Sequence, residues 1–149
     1  MTRSQLITFA SVGSFILLAG AYAFQAFGYA PCKMCLWQRW PHVAAVAIGL
    51  FAVLVLRYQK FLAILGALAA ATTASIGLYH TGVERDWWEG PTSCTGGAAL
   101  ITDNLLSTDI APIVMCDDVV WSLLGLSMAS YNAIISLALV ALWIAAARR

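Results

Sequence analysis

Apolar residues run along this chain in long unbroken blocks, and charged residues mark their edges. No charge lies between Arg3 and Lys33, between Arg39 and Arg57, between Lys60 and Glu84, or between Asp118 and Arg148. Those four gaps are 29, 17, 23 and 29 residues long. A helix crossing a bilayer needs about 20 apolar residues, within a range of about 17–25. Three gaps suffice easily, and the second borrows interfacial residues such as Trp37 and Trp40. A closed barrel is the other structure that satisfies its backbone in lipid. It requires alternating strands, and these blocks are continuous. The pattern predicts an all-α membrane protein, a four-transmembrane-helix bundle forming one domain over 1–149. Its helices are expected at about 6–27, 42–56, 61–80 and 119–146, with outer loops at about 28–40 and 82–118.

Local signals refine this outline. Gly28 stops the first helix. Pro41 suits a first helical position, where its missing N–H costs nothing. The turn RYQK, residues 57–60, is short, so helices two and three are antiparallel neighbours. Helix three is rich in Ala and Gly, which lets backbones approach closely. In the long loop, Leu100, Ile101, Leu105, Leu106 and Ile110 recur at roughly helical spacing. That segment reads either as a short helix lying on the membrane surface or as an ordinary loop. Trp87, Trp88 and Trp121 are placed at headgroup level. The sequence AGAYA, residues 19–23, offers the small residues of a signal-peptide cleavage site. The apolar run from Leu6 to Phe27 exceeds the roughly 7–15 residue core of a cleaved signal, so the segment is expected to remain as a helix.

Composition agrees with a membrane setting. Of 149 residues, 62% are hydrophobic and 10% charged, against about 25% charged in average soluble domains. If four helices alternate, Arg3, Arg57, Lys60, Arg148 and Arg149 share one side, and Lys33, Arg39 and Arg85 the other. The excess of basic residues marks the cytoplasmic side, so both termini are expected there. All seven acids fall in the long loop, which marks it as solvated. Cys32 and Cys35 lie in the short outer loop, and Cys94 and Cys116 in the long one. Disulfides persist outside the cytosol, so cysteine placement and topology, read separately, agree. No nucleic-acid partner is expected.

The stretch PCKMCLWQRWP, residues 31–41, carries the densest chemistry. Cys32 and Cys35 have C-x-x-C spacing. A helix starting near Pro31 would put both thiols in its first turn, where free N–H groups and the dipole favour thiolate. Arg39 would share a face with Cys35 if that helix continued, which Pro41 opposes. Haem attachment requires C-x-x-C-H, and the next residue is Leu36. A structural zinc site needs a second close pair, and Cys94 and Cys116 stand 22 apart; no metal is expected. A structural disulfide across so small a loop would stabilise little, and such pairs are more often redox-active. Cys94 and Cys116 bracket a longer loop flanked by Pro91, Gly96, Gly97 and Pro112. They read as a staple or as a mobile exchange pair. Taken singly, Arg39 reads as a snorkelling interface residue and His80 as an interfacial polar residue. Beside the C-x-x-C, both point toward chemistry.

The order P-C-x-M-C-x-x-Q-R-W-P after a first membrane helix resembles the DsbB family, the quinone-reducing disulfide-bond formation proteins of bacterial inner membranes. His80 closing helix three, a cysteine pair in the next outer loop, and WSLLGLSMASYN at residues 121–132 extend the resemblance over nearly the whole chain. It implies a protein-dithiol:quinone oxidoreductase in the inner membrane, with its cysteines periplasmic. Its partners would be a DsbA-like thioredoxin-fold oxidase, membrane lipid and the quinone pool. Its cofactor would be ubiquinone or menaquinone. The resemblance also implies disulfides Cys32–Cys35 and Cys94–Cys116, with a transient Cys32–Cys116 bridge. Cys94 would join the partner, Cys116 would be displaced and bridge to Cys32, and Cys35 would become a thiolate facing the quinone. Arg39 would stabilise that thiolate and the charge on the reduced quinone oxygen, and His80 would lie near the ring. The family often has an acid before the arginine; here Gln38 stands there, with no role implied. A dedicated relative serving one specialised oxidase is one alternative, and a non-catalytic membrane protein stapled by two disulfides is another. The vitamin K epoxide reductase type also has four helices, but its C-x-x-C comes near the end of the bundle.

Overall fold

The structure is a computed structural model that describes residues 1–95 and 114–149. Its four helices are α1 (Arg3–Ala26), α2 (Lys33–Leu54), α3 (Gln59–Glu84) and α4 (Met128–Arg148). A single 3-10 turn, Leu56–Tyr58, joins α2 to α3. The helices pack as a ring in chain order, with α1 closing against α4 and touching α3 only lightly. Arg3 Nε donates to the Ala146 carbonyl at 3.1 Å, which ties the two chain ends together at one end of the bundle. The cysteines lie at the other end. Three of the helical segments, Arg3–Ala26, Leu56–Glu84 and Met128–Arg148, are long and apolar enough to cross a membrane. In α2 the charge-free stretch is residues 40–56; residues 32–39 precede it.

Small residues set how closely the helices approach. Trp143 of α4 is completely buried, and its indole lies against Gly66 of α3, where an added Cβ would stand 2.5 Å from the ring. Ile7, Ala10, Ala52, Ala63 and Ala70 complete the packing around it. Outward positions such as Phe15, Ile16, Leu50, Leu54, Phe61 and Leu68 are exposed. Helices apolar on all sides are buried in a large core or span a membrane.

Two boundaries depart from the sequence expectation. The helix expected over 42–56 begins at Lys33, so most of the expected outer loop 28–40 is helical and Pro41 lies inside α2. Cys32 starts the helix: its sulfur accepts from the Cys35 N–H at 3.2 Å, and its carbonyl accepts from the Leu36 N–H. An interior proline forfeits one backbone bond and costs about 3 kcal/mol. The tertiary bonds of Gln38 and Arg39, described below, hold this turn in place. The helix expected over 119–146 begins at Met128. Ahead of it, Ser122–Leu123 (β1) and Leu126–Ser127 (β2) form a short antiparallel hairpin. Leu124 (φ 52°) and Gly125 (φ 76°) make its two-residue turn, the backbone pattern of a type I′ turn. Ser127 then caps α4 by accepting from the Ser130 N–H. The helix considered around Leu100–Ile110 lies outside the described residues.

Candidate active site

Cys32 and Cys35 face each other across the first turn of α2, their sulfurs 2.8 Å apart. Both are thiols, whereas Cys94 and Cys116 are joined in a disulfide. Cys32, Cys94 and Cys116 share one buried cluster with Met34 and Val83, and Cys35 packs against it. The fold therefore gathers all four cysteines at one end of the bundle. The last turns of α3 contribute His80, whose Nε2 stands 3.6 Å from the Cys32 sulfur and 3.7 Å from Glu84 Oε1. Glu84 in turn accepts from the Ser127 hydroxyl of β2. Two thiolates on one tetrahedral zinc stand about 3.8 Å apart. The closer approach of Cys32 and Cys35 fits sulfur–sulfur exchange better than a metal cage.

The two thiols are electrostatically unequal. Cys35 is held below the ordinary thiol range, chiefly because Cys32 donates its S–H to the Cys35 sulfur. Arg39 lowers it further but less, while burial and Glu84 oppose. Cys32 is pushed up, chiefly by that same hydrogen bond and then by burial. The negative charge thus belongs on Cys35, the partly exposed member of the pair.

Cys35 also lines a cavity of about 330 Å³ between α1, α4 and the start of α2. Leu17, Phe24, Met128 and Ile135 give it apolar walls, and Arg39, His42, His80 and Asn132 supply polar groups. Val120, Trp121 and Leu123 line its outer part, so the segment ahead of α4 helps to enclose it. Trp121 packs edge-on against Phe24, ring centroids 5.1 Å apart. Ile16, exposed on the outer face of α1, is another wall residue, so the cavity reaches the bundle surface along the α1–α4 seam. Arg39 is anchored to α1: Nη1 donates to Gln25 Oε1 at 2.7 Å, Nη2 to the Ala21 carbonyl at 3.3 Å, and the Tyr22 ring lies 4.6 Å away. Its buried Nε–H has no partner among the described residues.

A family match, described as disulfide bond formation protein DsbB, covers residues 3–146. The chain belongs to the DsbB family. Membership makes it an inner-membrane oxidoreductase of disulfide-bond formation. It is also 29% identical over 133 residues to an uncharacterized protein of Rickettsia prowazekii (strain Madrid E), RP370, covering 85% of this chain and 77% of that one. No solved structure matches it.

In this DsbB-family chain the structure brings Cys32, Cys35, His80, Cys94 and Cys116 together, and sets Arg39 on the wall of the same cavity as Cys35 and His80. Sequence reading passed over Gln38, His42, Thr73, Asn132 and Glu84. Gln38, His42 and Thr73 are buried and hydrogen-bonded to one another or through Asn132. The usable signal was their polarity inside apolar segments, where polar groups are costly and tend to be functional.

Proposed function

We propose that the chain is a single four-helix membrane unit that oxidises a periplasmic thioredoxin-fold dithiol protein, of the DsbA type, and delivers the electrons to a membrane quinone. Both termini are cytoplasmic and all four cysteines periplasmic in this reading. The observation that carries it is Cys35: a sulfur favouring the anion, next to a second cysteine pair on one side and an apolar cavity on the other.

The sulfur steps balance as follows. A partner thiolate attacks Cys94, and the Cys116 sulfur leaves with the bonding electron pair. The partner's second thiol then attacks the mixed disulfide, so the partner is oxidised and Cys94 and Cys116 are reduced. Cys116 next attacks a Cys32–Cys35 disulfide at Cys32, displacing Cys35 as a thiolate. Cys94 resolves that bridge, which leaves Cys94–Cys116 oxidised and Cys32 and Cys35 reduced.

The cavity fits a quinone head group on three grounds. Its volume lies within the range of about 300–1,000 Å³ usual for small-ligand sites. Its walls are mostly apolar, with polar groups from α2, α3 and α4. Arg39 also retains an unpartnered buried donor. A bound quinone supplies an acceptor for two electrons and two protons, which is what the Cys32/Cys35 dithiol loses on becoming a disulfide. Arg39 holds positive charge beside Cys35, and His80 holds a ring nitrogen beside Cys32. Access along the α1–α4 seam suits a ligand arriving from the bilayer.

Turnover by the purified protein tests the reading. With a reduced C-x-x-C partner and a short-chain quinone, quinone absorbance should fall catalytically, and Cys35→Ala should abolish the fall. Absence of turnover in the wild type, or undiminished turnover in the variant, rejects it. In cells depleted of quinone, alkylation should find the cysteines reduced; a stapled protein would keep them oxidised.

A further inference from the structure

Along the polar wall of the cavity, a chain of hydrogen bonds runs through the bundle from α4 and α2 to the cysteines. His42 Nε2 lies 2.8 Å from Asn132 Oδ1. Asn132 Nδ2 donates to Gln38 Oε1 at 2.7 Å and to Thr73 Oγ1 at 3.1 Å. Gln38 Nε2 lies 2.9 Å from His80 Nδ1, and His80 Nε2 faces the Cys32 sulfur. Because an amide offers a donor at one end and an acceptor at the other, such a chain has a direction. With Asn132 donating to Gln38, the Gln38 amide must donate to His80 Nδ1. That nitrogen is then bare, and the one proton of neutral His80 sits on Nε2.

Turning both amides over would reverse the chain and move the His80 proton to Nδ1. Three neighbours oppose the reversal. Thr73 spends its hydroxyl hydrogen on the Gln38 backbone carbonyl at 3.2 Å, so its oxygen is free to accept from Asn132. His80 Nε2 faces the Cys32 sulfur and a Glu84 oxygen, and the ring also meets the Cys116 backbone as a hydrogen-bond partner; a bare Nε2 would set lone pairs against the sulfur and the carboxylate. Among the described residues, the buried His42 Nδ1 has no partner. Left as a bare acceptor, it costs less than a buried orphan N–H.

We propose that Asn132 and Gln38 are positioning residues that lock His80 as its Nε2–H tautomer, aiming its only proton at the Cys32 sulfur. The assignment rests on the reading of His80 as part of the exchange centre. Its consequence is a one-way series of donors, His42 to Asn132 to Gln38 to His80 to Cys32, ending on Cys35. Each link supports negative charge at the sulfur that faces the cavity. The direction of the shift at Cys35 agrees. The groups facing Cys35 are Cys32, Arg39 and Glu84; the lock acts on it only through Cys32.

The chain has two histidines, which makes the tautomer directly measurable. The full-length protein is labelled with nitrogen-15 histidine and examined by NMR in detergent at pH about 8.5, where an ordinary imidazole of pKa about 6.5 is neutral. A His80→Gln sample assigns the signals. The expected His80 spectrum has a protonated Nε2 and a non-protonated Nδ1. In Asn132→Leu and Gln38→Met this pattern should relax toward a tautomer mixture, although Asn132 does not touch His80. The same variants should lower kcat for quinone reduction roughly five- to tenfold, the rate equivalent of one hydrogen bond. A wild-type proton on Nδ1, an unchanged His80 pattern in the variants, or an unchanged kcat in both would overturn the lock. If Asn132→Leu fails to fold, the wild-type spectrum and Gln38→Met still decide. Should the wild type reduce no quinone, the proposed function falls, while the NMR spectra still decide the lock.

Discussion

Replacing Arg39 isolates the acceptor half of the proposed reaction. The guanidinium is held by Gln25, the Ala21 carbonyl and the Tyr22 ring, while its buried Nε–H remains unpartnered on a residue that lines the cavity. Arg39→Met keeps much of the apolar stem and deletes the charge and all five donors. A hydrogen bond to a charged group contributes about 1.5–3 kcal/mol, so losing one to a charge-bearing oxygen predicts a roughly 10- to 150-fold fall in kcat/KM for quinone. Arg39 acts on Cys35 less than Cys32 does, and the Cys94–Cys116 disulfide packs in the separate cluster around Met34 and Val83. Exchange with the partner should therefore change less than about threefold. The assay follows the two halves separately: mixed-disulfide formation with a reduced partner by quenched-flow alkylation, and quinone absorbance with pre-reduced protein. Equal losses in both halves, or a quinone effect below threefold, would remove Arg39 from the acceptor half. Arg39→Lys distinguishes charge from geometry, because an ammonium keeps the charge and loses the planar fork; partial recovery is expected.

Three further outcomes follow from the same structure. A reduced partner whose second C-x-x-C cysteine is replaced should be trapped on Cys94 as a mixed disulfide on non-reducing gels, because the thiol that would resolve it is gone; its absence would remove Cys94 as the partner contact. In the reduced protein, Cys35 should be alkylated at pH values below the ordinary thiol range while Cys32 stays unreacted, because a depressed thiol remains anionic as pH falls and a raised one does not; equal labelling of both would contradict that polarity. Gly66→Ala would place a methyl 2.5 Å from the Trp143 indole. It should destabilise the bundle by about 1–3 kcal/mol as overpacking, read as a lower thermal midpoint in detergent than Gly20→Ala, where the added Cβ meets nothing within 4 Å.

The charge gaps predicted four helices, and α1 and α3 end within a few residues of the expected positions, because charges cannot sit freely in lipid. Two errors arose where local rules lost to other interactions. Pro41 suggested a helix start, yet the Cys32 cap had already begun α2, and the anchored side chains of Gln38 and Arg39 offset the proline's missing bond. The hairpin before α4 was hidden because Leu124 is a poor marker for a positive φ, and its neighbours are as apolar as the helix that follows. The cysteines and Arg39 were found through motif spacing. The Gln38–Asn132 link joins residues 94 positions apart, a separation that no local pattern reports.

The central claim is that electrons leave the Cys32/Cys35 dithiol for a quinone in the adjoining cavity. It is tested most directly by a single turnover, mixing pre-reduced protein anaerobically with one equivalent of a short-chain quinone and no partner. One quinone should be reduced per protein as a Cys32–Cys35 disulfide forms, seen as a loss of two hydrogens in the peptide mass. Oxidised quinone persisting beside two alkylatable thiols at Cys32 and Cys35 would contradict it.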